Sequence, residues 1–171
     1  MPFTKEKLVI GVLISAEAIR RQLLARITDE FGEIDLQSDT LPFDFTHYYD
    51  AEMGVPIKRF FVSIEELKPP DSLSDIKLRS NRIEDEFRVE GKRRINLDPG
   101  FLALSRFVLA TTKEGSHRIP LCSGIYGEIT LLFEKGEFRP LPWTYPDFRS
   151  DAYRSILKKI REIYKLQRSK I

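Results

Sequence analysis

The sequence predicts an α+β domain in which amphipathic helices cover a mixed or antiparallel sheet, and three observations carry that expectation. Leu8-Val9-Ile10-Gly11-Val12-Leu13-Ile14 is an unbroken apolar run rich in Val and Ile, the pattern of a strand buried on both faces. Three later segments repeat apolar residues at helical spacing, each with one stripe. No internal repeat, low-complexity stretch or linker interrupts the 171 residues, so 1–171 reads as a single domain.

The elements follow in order. Ser15 stands where an N-cap belongs, and Ile19, Leu23, Ile27 and Phe31 then recur every four residues, with Leu24 widening the stripe and Gly32 supplying the stop. Ile34 and Leu36 alternate with polar neighbours as a half-buried strand. Residues 41–49 have no clean period and read as a loop with one turn of helix. Lys58–Ile64 is a third strand, and after Pro69-Pro70 Ser72 stands where it can cap a helix with Leu73, Ile76, Ser80, Ile83 and Phe87 on one face. Segment 99–110 has two readings. Asp98 as N-cap with Pro99 at the first helical position starts a helix, whereas its Phe, Val and Leu content equally suits a strand. Residues 127–133 and 137–141 flank Glu134-Lys135-Gly136 as a β-hairpin. Tyr153, Ile156, Leu157, Ile160 and Tyr164 form a last helix, led in by Ser150 or Asp151. Strand-helix-strand twice over is compatible with an extended ferredoxin-like core. The single stripe on each helix predicts helices packed on one side of the sheet.

Charge and composition narrow the function classes. The 28 basic and 26 acidic residues leave a net charge of +2, so no strong field for a nucleic acid is expected. Cys122 is the only cysteine; it cannot form an internal disulfide and reads as a small buried hydrophobe. With His47 and His117 seventy positions apart, a structural zinc site lacks its ligands, and no metal is expected. No signal-peptide pattern and no run of ~20 apolar residues is present, which predicts a cytoplasmic protein without a membrane span. The turn Ile14-Ser15-Ala16-Glu17 has no glycine, and the only Gly-Lys pair, Gly91-Lys92, is followed by Arg93, so there is no phosphate-binding loop.

Three polar clusters remain. Asp44, Thr46, His47, Tyr48, Tyr49 and Glu52 interleave with Phe43 and Phe45; their carboxylates suit proton transfer, while an Asx-turn at Asp44 is the plainer reading. Lys92, Arg93 and Arg94 precede Asn96 and Asp98, a phosphate-pairing run or a solvated strand edge. Thr111-Thr112-Lys113 with Ser116-His117-Arg118 makes an anion cradle or a polar turn. Trp143 and Tyr145 lie in a proline-bounded loop, as core plugs or as stacking platforms.

Those segments also carry a likeness. Pro42-Phe43-Asp44-Phe45-Thr46, Arg94-Ile95-Asn96-Leu97-Asp98-Pro99-Gly100, Leu109-Ala110-Thr111-Thr112-Lys113, Gly124-Ile125-Tyr126 and Leu141-Pro142-Trp143-Thr144-Tyr145-Pro146-Asp147 resemble a bacterial and archaeal family catalogued as domain of unknown function 4416. The resemblance spans nearly the whole chain and implies no activity, cofactor or catalytic residue. From the residues themselves three functions stand as expectations. The first is a module for a small anionic ligand, a nucleotide or phosphorylated metabolite, held by Arg94, Lys113, His117, Arg118, Trp143 and Tyr145. The second is an enzyme with acid-base groups among Asp44, Glu52, Asp98 and His117. The third is a homodimerising or protein-interaction module using the last helix, where Ile163 and Leu166 fall outside the apolar stripe.

Overall fold

The computed structural model describes residues 2–171. The strands are β1 (Lys7–Ile14), β2 (Ile34–Gln37), β3 (Leu41–Pro42), β4 (Lys58–Ile64), β5 (Ile95–Leu102), β6 (Arg106–Thr111), β7 (Ile119–Pro120), β8 (Tyr126–Glu134) and β9 (Glu137–Pro140). The helices are α1 (Arg20–Phe31), the short α2 (Asp50–Met53), α3 (Leu73–Glu86) and α4 (Asp151–Arg168). All nine strands join one antiparallel sheet in the order β2-β4-β1-β5-β6-β8-β7, with β3 on β4 and β9 on β8. The path β1-α1-β2-β4-α3-β5 with spatial order β2-β4-β1-β5 is the ferredoxin-like arrangement. Strands β6 to β9 extend it from the β5 edge.

Side chains alternate across β1. Leu8, Ile10, Val12 and Ile14 meet α1 and α3 on one face, while Val9 packs with α4 on the other. The expectation of helices on one side therefore fails: α4 covers the opposite face. A single stripe shows that a helix has one buried side, not which side of the sheet it covers. A strand apolar on both faces does require cover on both. Tyr153, Leu157, Ile160 and Tyr164 of α4 meet Phe61, Leu102 and Phe107 there, at about 1.5–3 kcal/mol per large apolar side chain buried. The end of α4 is pinned by the buried Lys7, which hydrogen-bonds Asp35 and Gln167, and by the Tyr164 hydroxyl donating to Lys5 O at 2.8 Å. Ile163 is half-buried and Leu166 is 64% exposed.

Local chemistry departs from expectation at several points. Ser15 does not cap α1; its hydroxyl donates to Arg94 O, and a 3-10 turn over Glu17–Ile19 leads into the helix without a side-chain cap. Ser72 likewise turns its hydroxyl back to Pro69 O. Ser150 does cap α4, accepting from Tyr153 N. The β8–β9 turn is a two-residue one, Lys135-Gly136, with φ of 51° and 83°, so both residues are left-handed as a type I′ hairpin requires. Cys122 is exposed rather than buried.

Segment 95–111 is a pair of strands, and Asp98-Pro99-Gly100 lies inside β5 rather than at a turn or cap. The β5–β6 ladder is short: only Gly100, Phe101 and Leu102 pair with Leu109, Val108 and Phe107. Leu97 turns its backbone away from β1; its N–H donates to Glu84 Oε1 at 2.7 Å and its C=O accepts from Lys77 Nζ at 2.8 Å. Pro99, two residues on, presents its nitrogen to the same side and has no N–H for β6. The two strands part there, and α3 side chains replace the missing strand partner.

Gly100 makes the last close approach before the split. A Cβ there would lie 2.5 Å from Val108 O and 2.9 Å from the Phe107 ring. Gly100→Ala is expected to lower stability by about 3 kcal/mol in urea unfolding, the cost of forcing strands apart. Gly127→Ala, whose Cβ would have the Leu121 side chain as its nearest neighbour at 3.5 Å, is expected to cost less than about 1 kcal/mol.

Candidate functional site

A cleft of about 740 Å³ opens where β5 and β6 separate, within the range of about 300–1,000 Å³ usual for small-molecule sites. Its walls come from distant parts of the chain. Phe43, Phe45, Tyr48 and Tyr49 of the loop before α2 form an aromatic side. Asn96 and Asp98 lie along β5, and Leu109 to Lys113 along β6 and beyond. Tyr145 to Phe148 close one end. Helix α3 contributes Lys77, Asn81 and Glu84, spaced i, i+4 and i+7 and so on one helical face, and Arg88 follows just beyond its end.

Arg59 lies at the base of this cleft and is 2% exposed. Its Nη1 donates to Asp98 Oδ2 at 2.9 Å, its Nη2 to Asp147 Oδ2 at 3.4 Å, and its Nε to the Tyr153 hydroxyl at 3.1 Å. Phe43, Phe61 and Tyr153 surround the guanidinium at 5.4–5.7 Å. Gly11 leaves room for it, since a Cβ there would be 2.9 Å from Arg59 Nη1. Burial works against the arginine's charge, but Asp98, Tyr153 and Asp147 raise its pKa above the ordinary value. The two carboxylates respond differently. Burial would push Asp98 up, yet Arg59, Lys77 and the Asn96 amide hold it below the usual aspartate value. Asp147 is raised, because burial outweighs Arg59 and Asp98 adds repulsion. Burial also takes the Tyr153 phenol up to about 12.

The α3 wall holds a second charged set. Glu84 is raised by burial, with Asp98 adding to it and Lys77 and the Leu97 N–H opposing. Arg93 makes a bidentate pair with Glu52 at 2.9 and 2.8 Å and donates to Asn96 Oδ1 at 3.0 Å. Across the cleft, Glu128 is 2% exposed. Its Oε2 accepts from Arg118 Nε at 2.8 Å and lies 2.9 Å from His117 Nε2. Arg118 Nη2 donates to the Tyr145 hydroxyl at 2.9 Å. Lys113 has a different situation: its Nζ sits 4.5 Å above the Tyr48 ring and pairs with no carboxylate among the described residues.

Of the ligand-binding residues expected from sequence, Lys113, Arg118 and Tyr145 line the cleft. His117 and Trp143 stand behind that wall, their rings stacked at 5.3 Å and 21°. Trp143 is not a core plug: it is 38% exposed, and its Nε1 donates to Ile129 O in the stretch of β8 that neither β7 nor β9 pairs. Arg94 does not line the cleft; its carbonyl accepts from Ser15 N and Ser15 Oγ. Of the acid-base candidates only Asp98 lines it. Glu52 is held by Arg93, Asp44 is exposed away from the lining, and His117 reaches the cleft only through Glu128. The structure therefore does not bring Asp44, Glu52, Asp98 and His117 together. The sequence reading missed Arg59, Lys77, Asn81, Glu84, Glu128 and Asp147. A signal existed for two of these groups: Arg59 interrupts an apolar strand, and the α3 residues repeat at helical spacing along one flank of the apolar stripe.

Replacing one partner of a buried pair strands the other charge. Asp98→Asn is expected to cost about 3 kcal/mol at pH 7, because Arg59 loses its nearer carboxylate. Asp147→Asn is expected to cost about 1 kcal/mol, since the amide oxygen still accepts the Phe148 N–H. The contribution of a depressed carboxyl is present above its unfolded value, near 3.8 for aspartate, and is lost as pH falls through the folded value. The Asp98→Asn penalty should accordingly shrink below pH 4 in urea titrations run at several pH values.

No group of three or more His, Cys, Asp or Glu among the described residues is placed to hold a metal ion. No helix among them is long and apolar enough to cross a membrane. No curated protein and no solved structure matches the chain. A family model does match, over residues 4–164, and takes in every wall of the cleft: the chain belongs to the family described as domain of unknown function 4416.

Proposed function

We propose that the cleft binds a small phosphorylated metabolite or a nucleotide, with its anionic group at Lys113 and a ring against Tyr145 or Tyr48. The observation that carries this reading is the state of Lys113. The cleft arginines Arg59, Arg88, Arg93 and Arg118 each have a carboxylate in contact, so their charge is already balanced. Lys113 has none among the described residues and lines the cleft along with Thr111, Thr112 and Arg118. An ammonium with no carboxylate partner, in a lining that also holds two threonines, suits a phosphate oxygen cluster. The aromatic wall supplies stacking area for a ring attached to that phosphate.

The test is a thermal-shift screen of nucleotides, sugar phosphates and inorganic phosphate on wild type and Lys113→Ala. Ligand at 100 times its dissociation constant adds about 2.7 kcal/mol, a rise in Tm of several degrees for a domain of this size. Stabilisation in wild type and its loss in Lys113→Ala is the expected result. The reading fails if no anion stabilises the protein, or if Lys113→Ala responds as wild type does.

A further inference from the structure

We infer that the α3 wall of the cleft recognises a vicinal diol, so that the ligand is a hydroxyl-bearing phosphate ester, a sugar phosphate or the ribose phosphate of a nucleotide; this rests on the phosphate reading of Lys113. Lys77, Asn81 and Glu84 follow one another at i, i+4 and i+7 and all line the cleft. Their hydrogen-bonding capacity is only partly used inside the protein. Lys77 Nζ donates once, to Leu97 O, and has two N–H groups left. Glu84 Oε1 accepts the Leu97 N–H, but its Oε2 has Arg93 Nη1 no nearer than 3.7 Å, beyond hydrogen-bond length. Asn81 makes no side-chain hydrogen bond to the described residues, and its amide offers both donors and an acceptor. Arg59 shows the contrast: each of its three nitrogens has an acceptor.

Three under-used groups of different character on one helical face call for a ligand that both accepts and donates there. An anion fits poorly, because Glu84 and Asp98 would repel it; the same carboxylates turn the phosphate of a bound ester toward Lys113. A hydroxyl can accept from Lys77 and donate to Glu84, and a neighbouring hydroxyl can do both with Asn81. Two adjacent hydroxyls therefore match the three groups in number and polarity. Phe45 and Tyr48, on the aromatic side, offer faces for the C–H side of a sugar ring.

Isothermal titration with ribose 5-phosphate, 2-deoxyribose 5-phosphate, adenosine 5′-monophosphate, its 2′-deoxy analogue and inorganic phosphate separates the alternatives. Wild type is expected to bind each vicinal diol at least about tenfold more tightly than its deoxy counterpart, as sites built to hydrogen-bond a hydroxyl do. Asn81→Leu should collapse that ratio while the melting temperature of the free protein stays unchanged, since Asn81 is half-buried on the helix surface. Glu84→Gln provides a second reading of the same ratio. Tighter binding of the nucleotide than of ribose 5-phosphate identifies a nucleotide as the source of the diol; equal binding identifies a sugar phosphate. Equal affinity for diol and deoxy esters, or a ratio that survives both substitutions, overturns the diol inference while the phosphate reading stands. Absence of binding by every phosphate, including inorganic phosphate, removes both.

Discussion

A guanidinium in a water-poor interior must be surrounded by acceptors, and Arg59 is met from three directions. Asp98 comes from β5, Asp147 from the loop before α4, and Tyr153 from α4 itself. Each belongs to a different stretch of chain, so the demand of one charge ties the α4 layer to the ferredoxin-like core. The same demand sets the sequence at Gly11, where any side chain would press on the guanidinium or the Phe61 ring. Buried ion pairs add little net stability over apolar packing, but a broken one costs much more. Arg59 therefore acts as a constraint on arrangement more than as a reservoir of stabilisation.

The cleft exists because the sheet is not continuous. Pro99 cannot donate to β6, and beyond Gly100 the strands have no ladder. A split sheet would normally leave backbone groups orphaned, at a cost comparable to lost hydrogen bonds. Lys77 and Glu84 answer that at Leu97, which brings two charged side chains of α3 to the opening. The solution to a local backbone problem thus supplies the polar wall of the site. On the opposite side, Trp143 and Thr144 satisfy Ile129 O and Thr130 O where neither β7 nor β9 pairs the outer edge of β8. That anchors the loop carrying Tyr145 into the lining.

Charge within the cleft is organised rather than summed. Arg93 with Glu52 and Arg118 with Glu128 are internally balanced pairs on opposite sides. What is left over is local: Lys113 on the β6 side, and the partly used Lys77, Asn81 and Glu84 on α3. The overall charge of +2 predicts none of this, because net charge describes the far field and says nothing of which groups are already paired.

The sequence by itself determined the elements. An unbroken apolar run names β1, period-two and period-3.6 patterns name β2, α1, α3 and α4, and turn residues name the β8–β9 hairpin, because side-chain burial and turn geometry act locally. The order of those elements was enough to suggest the ferredoxin-like core. Lys113, Arg118 and Tyr145 stood out because polar and aromatic residues crowd in loops. Tertiary structure alone decided which face α4 covers, since an apolar stripe carries no address. It decided that Asp98-Pro99-Gly100 is strand, where the missing proline N–H serves a parting ladder instead of a helix start. It also decided which charges meet. Arg59, Asp98 and Asp147 are separated by 39 and 88 positions from the arginine outward, and no local period links them. Ion pairs at such separations form only when strand register and helix docking are fixed, so the site becomes legible after the sheet has been assembled.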